Sequence, residues 1–241
     1  MSTAYNFLFV VYPYICLAVF LMGSLARFDR DQYTWKSDSS QLLRTGQLRW
    51  GSNLFHGGIL FLFFGHLFGQ LTPHAVYELL LSASQKQLVA VVAGGVAGTA
   101  CFIGLTMLLH RRLSDARIRL TSHRTDIAIL VILWVQLALG LSTLPSSLHH
   151  VAEPVTMLRL AAYLQGIATF NPDAALVAGV EWHFQVHMVL GMTIFLLFPF
   201  SRLVHVWSGF ASVGYLLRPY QLVRARRLNL PAGHNTPRRV L

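Results

Sequence analysis

The chain has 241 residues, of which 54% are apolar and only 12% are charged, and its formal net charge is +10. Soluble domains carry about 25% charged residues, so a water-soluble globule is excluded. The apolar content excludes disorder, and 18 glycines and 2 cysteines exclude collagen-like and disulfide-scaffold chains. In a soluble chain such a basic excess would point to nucleic acid. In a membrane chain it sets orientation, and no nucleic-acid partner is expected.

A spanning helix needs about 20 mainly apolar residues. Five stretches qualify, at residues 4–26, 53–71, 88–109, 126–144 and 182–207. None alternates with period two, so a membrane β-barrel does not compete. The expected fold is an all-α membrane protein with five transmembrane helices. A single domain covers 1–227, and 228–241 form a basic tail. The first basic residue is Arg27, so the first apolar run lacks the positive lead of a signal peptide and reads as a retained span. Pro13 in the first span and Pro199 in the fifth predict kinks. Thr72-Pro73 closes the second span and Pro145 the fourth, because a residue before proline is biased away from helix. Residues 145–182 show no clear pattern. Cys16 and Cys101 lie in apolar stretches and read as small core residues. There is no CxxCH for covalent haem attachment.

The basic residues sort by connection. Arg27, Arg30, Lys36, Arg44 and Arg49 fall in the first, and Arg111, Arg112, Arg117, Arg119 and Arg124 in the third. Arg202, Arg218, Arg224, Arg226, Arg227, Arg238 and Arg239 follow the fifth span, which leaves only Lys86 and Arg159 for the opposite side. The positive-inside rule places the N-terminus outside and the C-terminus in the cytoplasm.

Of eleven histidines, His74, His149, His150, His110, His123 and His234 fall at connections, edges or the tail. His56, His66, His187 and His205 instead lie in apolar sequence, in FHGGILFLFFGH and HMVLGMTIFLLFPFSRLVH. Ionisable groups at membrane depth are costly and usually functional. The second and fifth spans run antiparallel, which pairs His56 with His205 toward the cytoplasm and His66 with His187 toward the outside. Along ideal helices the two spacings are about 15 Å and about 27 Å, so a tilt or a bend is required, and Pro199 can supply it. The longer spacing is five whole turns, which predicts one shared face for His187 and His205.

Two opposed imidazoles suit the axial positions of a haem iron, and two pairs suit two b haems stacked across the bilayer. Zinc would want its ligands at one point rather than split in pairs. A proton relay usually recruits carboxylates, and Asp126 and Glu181 sit only at span ends. Gly57, Gly58, Gly65, Gly69 and Gly191 admit either a flat macrocycle edge or close helix packing.

The stretches YPYI at 12–15, QYTW at 32–35, SNLFHGGIL at 52–60, GHLFGQLTPH at 65–74, RRL at 111–113, HMVLGMTIFLLFPFSRLVHVWS at 187–208 and YQLVRAR at 220–226 resemble the gamma subunit of membrane-bound respiratory nitrate reductase, a dihaem cytochrome b. The resemblance covers nearly the whole chain. It implies a multi-pass protein of the cell inner membrane with an iron–sulfur beta partner and a molybdenum alpha partner that reduces nitrate in the cytoplasm. It implies quinol oxidation near the outer face, with His66 and His187 on the distal haem and His56 and His205 on the proximal one. At the matching place a lysine is associated with quinol binding, which makes Lys86 a candidate, with Gly65 letting the ring approach. Arg112 and Arg202 are candidates for haem propionates or lipid head groups, against a plain reading as positive-inside charges. A dihaem cytochrome b subunit of a hydrogenase or formate dehydrogenase is the alternative.

Overall fold

The computed structural model of the chain describes residues 2–30 and 45–207. The QYTW and YQLVRAR stretches, Lys36, Arg44, the arginines from Arg218 onward, His234 and the tail 228–241 lie outside these residues. The described residues form helices and turns with no strand. Five helices are long and apolar enough to cross a membrane. Four of them are α1 (Thr3–Arg30), α2 (Thr45–Leu71), α3 (Ala83–Ser114) and α4 (Arg124–Ser142). After α5 (Val155–Ala168), α6 (Trp182–Leu197) forms the fifth. The molecule is a multi-pass inner-membrane protein whose outer surface carries large apolar side chains such as Met22, Val96 and Leu21.

Helix ends run past the apolar cores because polar caps extend them. The third span starts at Ala83 because Ser82 and Gln85 form a capping box, the Ser82 hydroxyl accepting from Gln85 N while Gln85 Oε1 accepts from Ser82 N. Pro145 does not end the helical path. It sits in the first turn of the short helix Leu144–His149, where a missing N–H leaves no bond unmade.

Pro13 acts through a π-helical segment over Phe7–Val11. The proline has no N–H for the carbonyl of Phe9, and its ring crowds that carbonyl. Tyr12 N–H reaches back to Phe7 O, and Tyr163 Oη donates to Phe9 O at 2.7 Å. The orphaned carbonyl is thus satisfied by a tyrosine from α5, as a low-dielectric interior requires. Tyr14 Oη adds a bond to Ile167 O at 3.1 Å. Residues 145–182 are therefore ordered by packing. Phe9, Tyr163, Ile167, Ala174 and Val177 form one core, and Arg159 Nη2 donates to Ala175 O and Ala178 O.

The second core, around Cys101, Leu105, Ile129, Leu133 and Leu137, joins α3 to α4, and Phe55 of α2 packs against it. Both cysteines are free and fully buried. Helices α2 and α3 pack antiparallel through glycines. A Cβ on Gly58 would lie 2.6 Å from Cys101 Cβ and 2.8 Å from Ala97 O, and one on Gly104 would lie 2.8 Å from Gly51 O. Such backbone contact suits membrane helices, where dispersion rather than hydrophobic exclusion draws them together.

The fifth span departs from the expected helix over 182–207 with a kink at Pro199. It ends at Leu197, turns through Phe198–Phe200, extends at Ser201 (φ −119, ψ 176), and turns again over Arg202–Val204. Pro199 removes a helical donor, and the Ser201 hydroxyl caps Leu203 N at 3.2 Å, so the chain breaks rather than kinks. The five-turn argument for a shared face fails with it, since His187 and His205 ride on different elements.

Candidate functional site

The four intramembrane histidines meet in two pairs. The rings of His56 and His205 lie 6.1 Å apart between centroids, and those of His66 and His187 lie 6.3 Å apart. These are the partners that antiparallel spans require. The break at Pro199 resolves the mismatch in spacing, because it lets His205 turn back toward α2 where a straight helix would overshoot.

Each ring has one nitrogen committed. Nδ1 of His56 donates to Ser52 O at 2.8 Å, that of His66 to Leu62 O at 2.7 Å, that of His187 to Gln136 O at 3.1 Å and that of His205 to Arg202 O at 2.6 Å. A carbonyl only accepts, so the proton is on Nδ1 and Nε2 keeps its lone pair, which in His187 faces Gln136 Nε2 at 3.5 Å. Metal-ligating histidines are oriented this way, the second nitrogen donating to a carbonyl or carboxylate. Metal–imidazole bonds of about 2 Å on each side of one ion give ring centres about 6 Å apart. The residues therefore fit an iron held between two imidazoles. Among the described residues no three His, Cys, Asp or Glu side chains converge, which disfavours zinc.

The two histidine-bearing helices are also the least buried. Each buries 6% of its apolar window inside the protein, against 22% for each of the other three spans. Helix α2 packs along α3, and α6 packs on α1 and α4, while α2 and α6 are not a packed pair. Their facing sides can flank a bulky planar group.

The glycines divide into two kinds. Gly51, Gly58 and Gly104 are in backbone contact, and Gly98 meets Leu141. Gly57, Gly65, Gly69 and Gly94 have nothing within 4 Å of an added Cβ. Gly65 follows Gly58 by two turns, and Gly94 precedes Cys101 by two turns, so the α2–α3 seam opens where these two come level. Lys86 stands farther out along α3. Its Nζ lies 3.6 Å from the Tyr77 ring centroid, a cation–π contact. Neither Lys86 Nζ nor Tyr77 Oη has a hydrogen-bond partner among the described residues.

Arg112 and Arg202 converge on Asp126, whose Oδ2 lies 3.2 Å from Arg112 Nη1 and 3.6 Å from Arg202 Nη1. Their side chains are 7% and 17% exposed, so they point into the protein rather than toward head groups. Other histidines have local neighbours: His74 pairs with Glu78, His183 Nε2 lies 3.0 Å from Glu181 Oε2, and His150 donates to Ser146 O.

Sequence reasoning missed Gln136, Gly140, Tyr77 and Asp126 as parts of these sites. Gln136 holds His187 twice, its carbonyl taking Nδ1–H and its Nε2 donating to His187 O at 3.0 Å. Gly140 lies one turn on, and a Cβ there would stand 3.0 Å from His187 Cε1. A glutamine inside an apolar span was the available signal for the first. Nothing local marks the others.

The family model described as nitrate reductase gamma subunit matches residues 5–226. The chain belongs to the nitrate reductase gamma-subunit family. It is 51% identical over 223 residues to the respiratory nitrate reductase 2 gamma chain of Escherichia coli (strain K12), covering 92% of this chain and 97% of that one. Similarity to the respiratory nitrate reductase 1 gamma chain of the same organism is also 51%, over 91% of this chain and 97% of the relative. The nitrate reductase gamma chain of Bacillus subtilis (strain 168) is 37% identical over 90% of this chain and 96% of its own length. As a gamma subunit this chain is the membrane electron-transfer part of an oxidoreductase complex, and the family is consistent with haem. Membership favours a nitrate reductase over a hydrogenase or formate dehydrogenase as the complex served.

Proposed function

We propose that this subunit oxidises quinol near the outer face and delivers the electrons to an iron–sulfur partner on the cytoplasmic side, for nitrate reduction by a molybdenum partner. The observation that carries the reading is the pair of opposed imidazole couples about 6 Å wide, each Nδ1 tied to a carbonyl. When bound, two b haems supply one-electron centres spaced across the bilayer. His66 and His187 hold the outer one, and His56 and His205 the inner one. Arg112 and Arg202 meet at Asp126 on the side of the inner pair, and a guanidinium fork there suits a propionate. The basic connections on the same side as Arg112 and Arg202 face the cytoplasm, and the N-terminus lies outside.

At the outer end, the open seam at Gly65 and Gly94 admits a flat ring beside His66. Lys86, with no hydrogen-bond acceptor among the described residues, donates to a quinol oxygen, and Tyr77 holds the ammonium in place. Protons released there leave to the outer side. Each charge so separated stores about 2.3 kcal/mol per 100 mV.

Haem stoichiometry together with a reduced-minus-oxidised spectrum of the purified complex tests the reading. Two b haems per gamma chain are expected, and one or none overturns it. Lys86→Ala is expected to lower kcat/KM for quinol roughly 10- to 100-fold, the worth of a charged hydrogen bond of about 1.5–3 kcal/mol, with both haems kept. Unchanged quinol kinetics would return Lys86 to the role of a lysine at a helix end. Gly140→Val is expected to push the His187 ring aside and to deplete the outer haem alone. Full outer-haem occupancy in that variant would show that the ring has room to move.

A further inference from the structure

His205 is unlike the other three histidines in its support. His56, His66 and His187 sit inside regular helices, where the backbone ladder holds the side chain's origin. His205 opens a new helical stretch after two short turns separated by an extended residue, so no continuous ladder connects it to α6. Its position depends on what ties that segment to the rest of the molecule.

Leu203 packs on the core between α3 and α4 and Trp207 on Phe20 of α1, and two polar ties are added from different helices. From α1, Arg27 Nη1 donates to Pro199 O at 2.8 Å and to Ser201 O at 2.9 Å. Those carbonyls flank the break, and one guanidinium bridges it. One turn earlier, Gly23 lets the Pro199 ring close on α1, since a Cβ there would lie 2.8 Å from Pro199 Cγ. From α4, the Asp126 carboxylate pairs with Arg112 and with Arg202, and its side chain is 10% exposed. Arg202 O is the acceptor for His205 Nδ1. Asp126 thus grips the residue whose backbone orients the imidazole, while Arg112 fixes Asp126 from α3. Replacing the Asp126 carboxylate takes the shared countercharge from two guanidiniums inside the protein, which favours movement of the segment or entry of water.

We propose that Arg27 and Asp126 are positioning residues for His205. They lock the broken segment after α6 and thereby set the ligation of the inner pair, with no hand in the outer pair. This rests on the reading that the inner pair holds a haem. Selectivity is expected because His187 takes its support from Gln136 and Gly140 on α4, upstream of the break.

The test uses the intact purified complex, with each b-type component followed by optical redox titration and by its low-spin signature. In Arg27→Gln and in Asp126→Asn the inner component is expected to lose low-spin character or to shift its midpoint potential, while the outer component keeps its wild-type potential and amplitude. Asp126→Glu should restore the inner component. An inner component unchanged in both variants overturns the proposal, and so does equal loss of both components, which marks a general role in folding. Should Asp126→Asn fail to accumulate, Arg27→Gln decides by the same readout. Wild-type complex lacking an inner component overturns the haem reading itself, and the clamp falls with it.

Discussion

His66→Ala and His187→Ala are each expected to remove the same b-type component, and His56→Ala and His205→Ala the other. Haem per gamma chain is expected to fall from two to one in every case. The effect is expected to be all or none for one centre, because each variant would leave the group a single imidazole and no other donor stands near among the described residues. Among the described residues no further His, Cys, Asp or Glu converges on either pair. The measurement is pyridine-haemochrome stoichiometry, with redox titration to say which component has gone. Loss of the same component in His56→Ala and His66→Ala would break the assigned pairing. His150→Ala is the control and keeps both haems, since that ring only donates to Ser146 O at an exposed site.

Gly104→Ala is expected to destabilise the protein by about 1–3 kcal/mol, the usual cost of forcing extra volume into a packed seam. The added methyl would lie 2.8 Å from Gly51 O and 2.9 Å from Leu54 Cβ, so relief requires α2 and α3 to separate. A backbone oxygen cannot swing away as a side chain can. Helix α2 carries His56 and His66, so a lower thermal midpoint in detergent is expected together with weaker haem retention. Gly94→Ala makes the comparison: an added Cβ there meets nothing within 4 Å, and the fold should keep its midpoint. Equal midpoints for Gly104→Ala and wild type would show that the seam is not close-packed.

The span pattern was legible because a bilayer leaves a chain few choices. Runs of about 20 apolar residues must be helices, since backbone polar groups in lipid have no other partners. The pairing of histidines was legible too, because consecutive spans alternate in direction and two ligands per helix then have one sensible match. Pro199 was read as a kink and proved to be a break, because a proline's outcome depends on whether neighbours satisfy the freed carbonyls. Here Arg27 does so for Pro199 O and Ser201 O, and it comes from the opposite end of the sequence. Residues 145–182 carry no periodic pattern, yet they fold against Phe9 and Tyr14 of α1 and the methionines of α6, contacts that no local window contains.

What the amino-acid order determined alone is the number of membrane helices, the intramembrane histidines and their partners, all of which follow from hydrophobicity and alternation. What only the tertiary structure decided is which glycines pack and which line open space, that Asp126 serves two arginines at once, and that Gln136 and Gly140 shape the seat of His187. Those are contacts between residues tens to hundreds of positions apart. Their distances are set by how whole helices tilt and cross, and no property of a single segment encodes that.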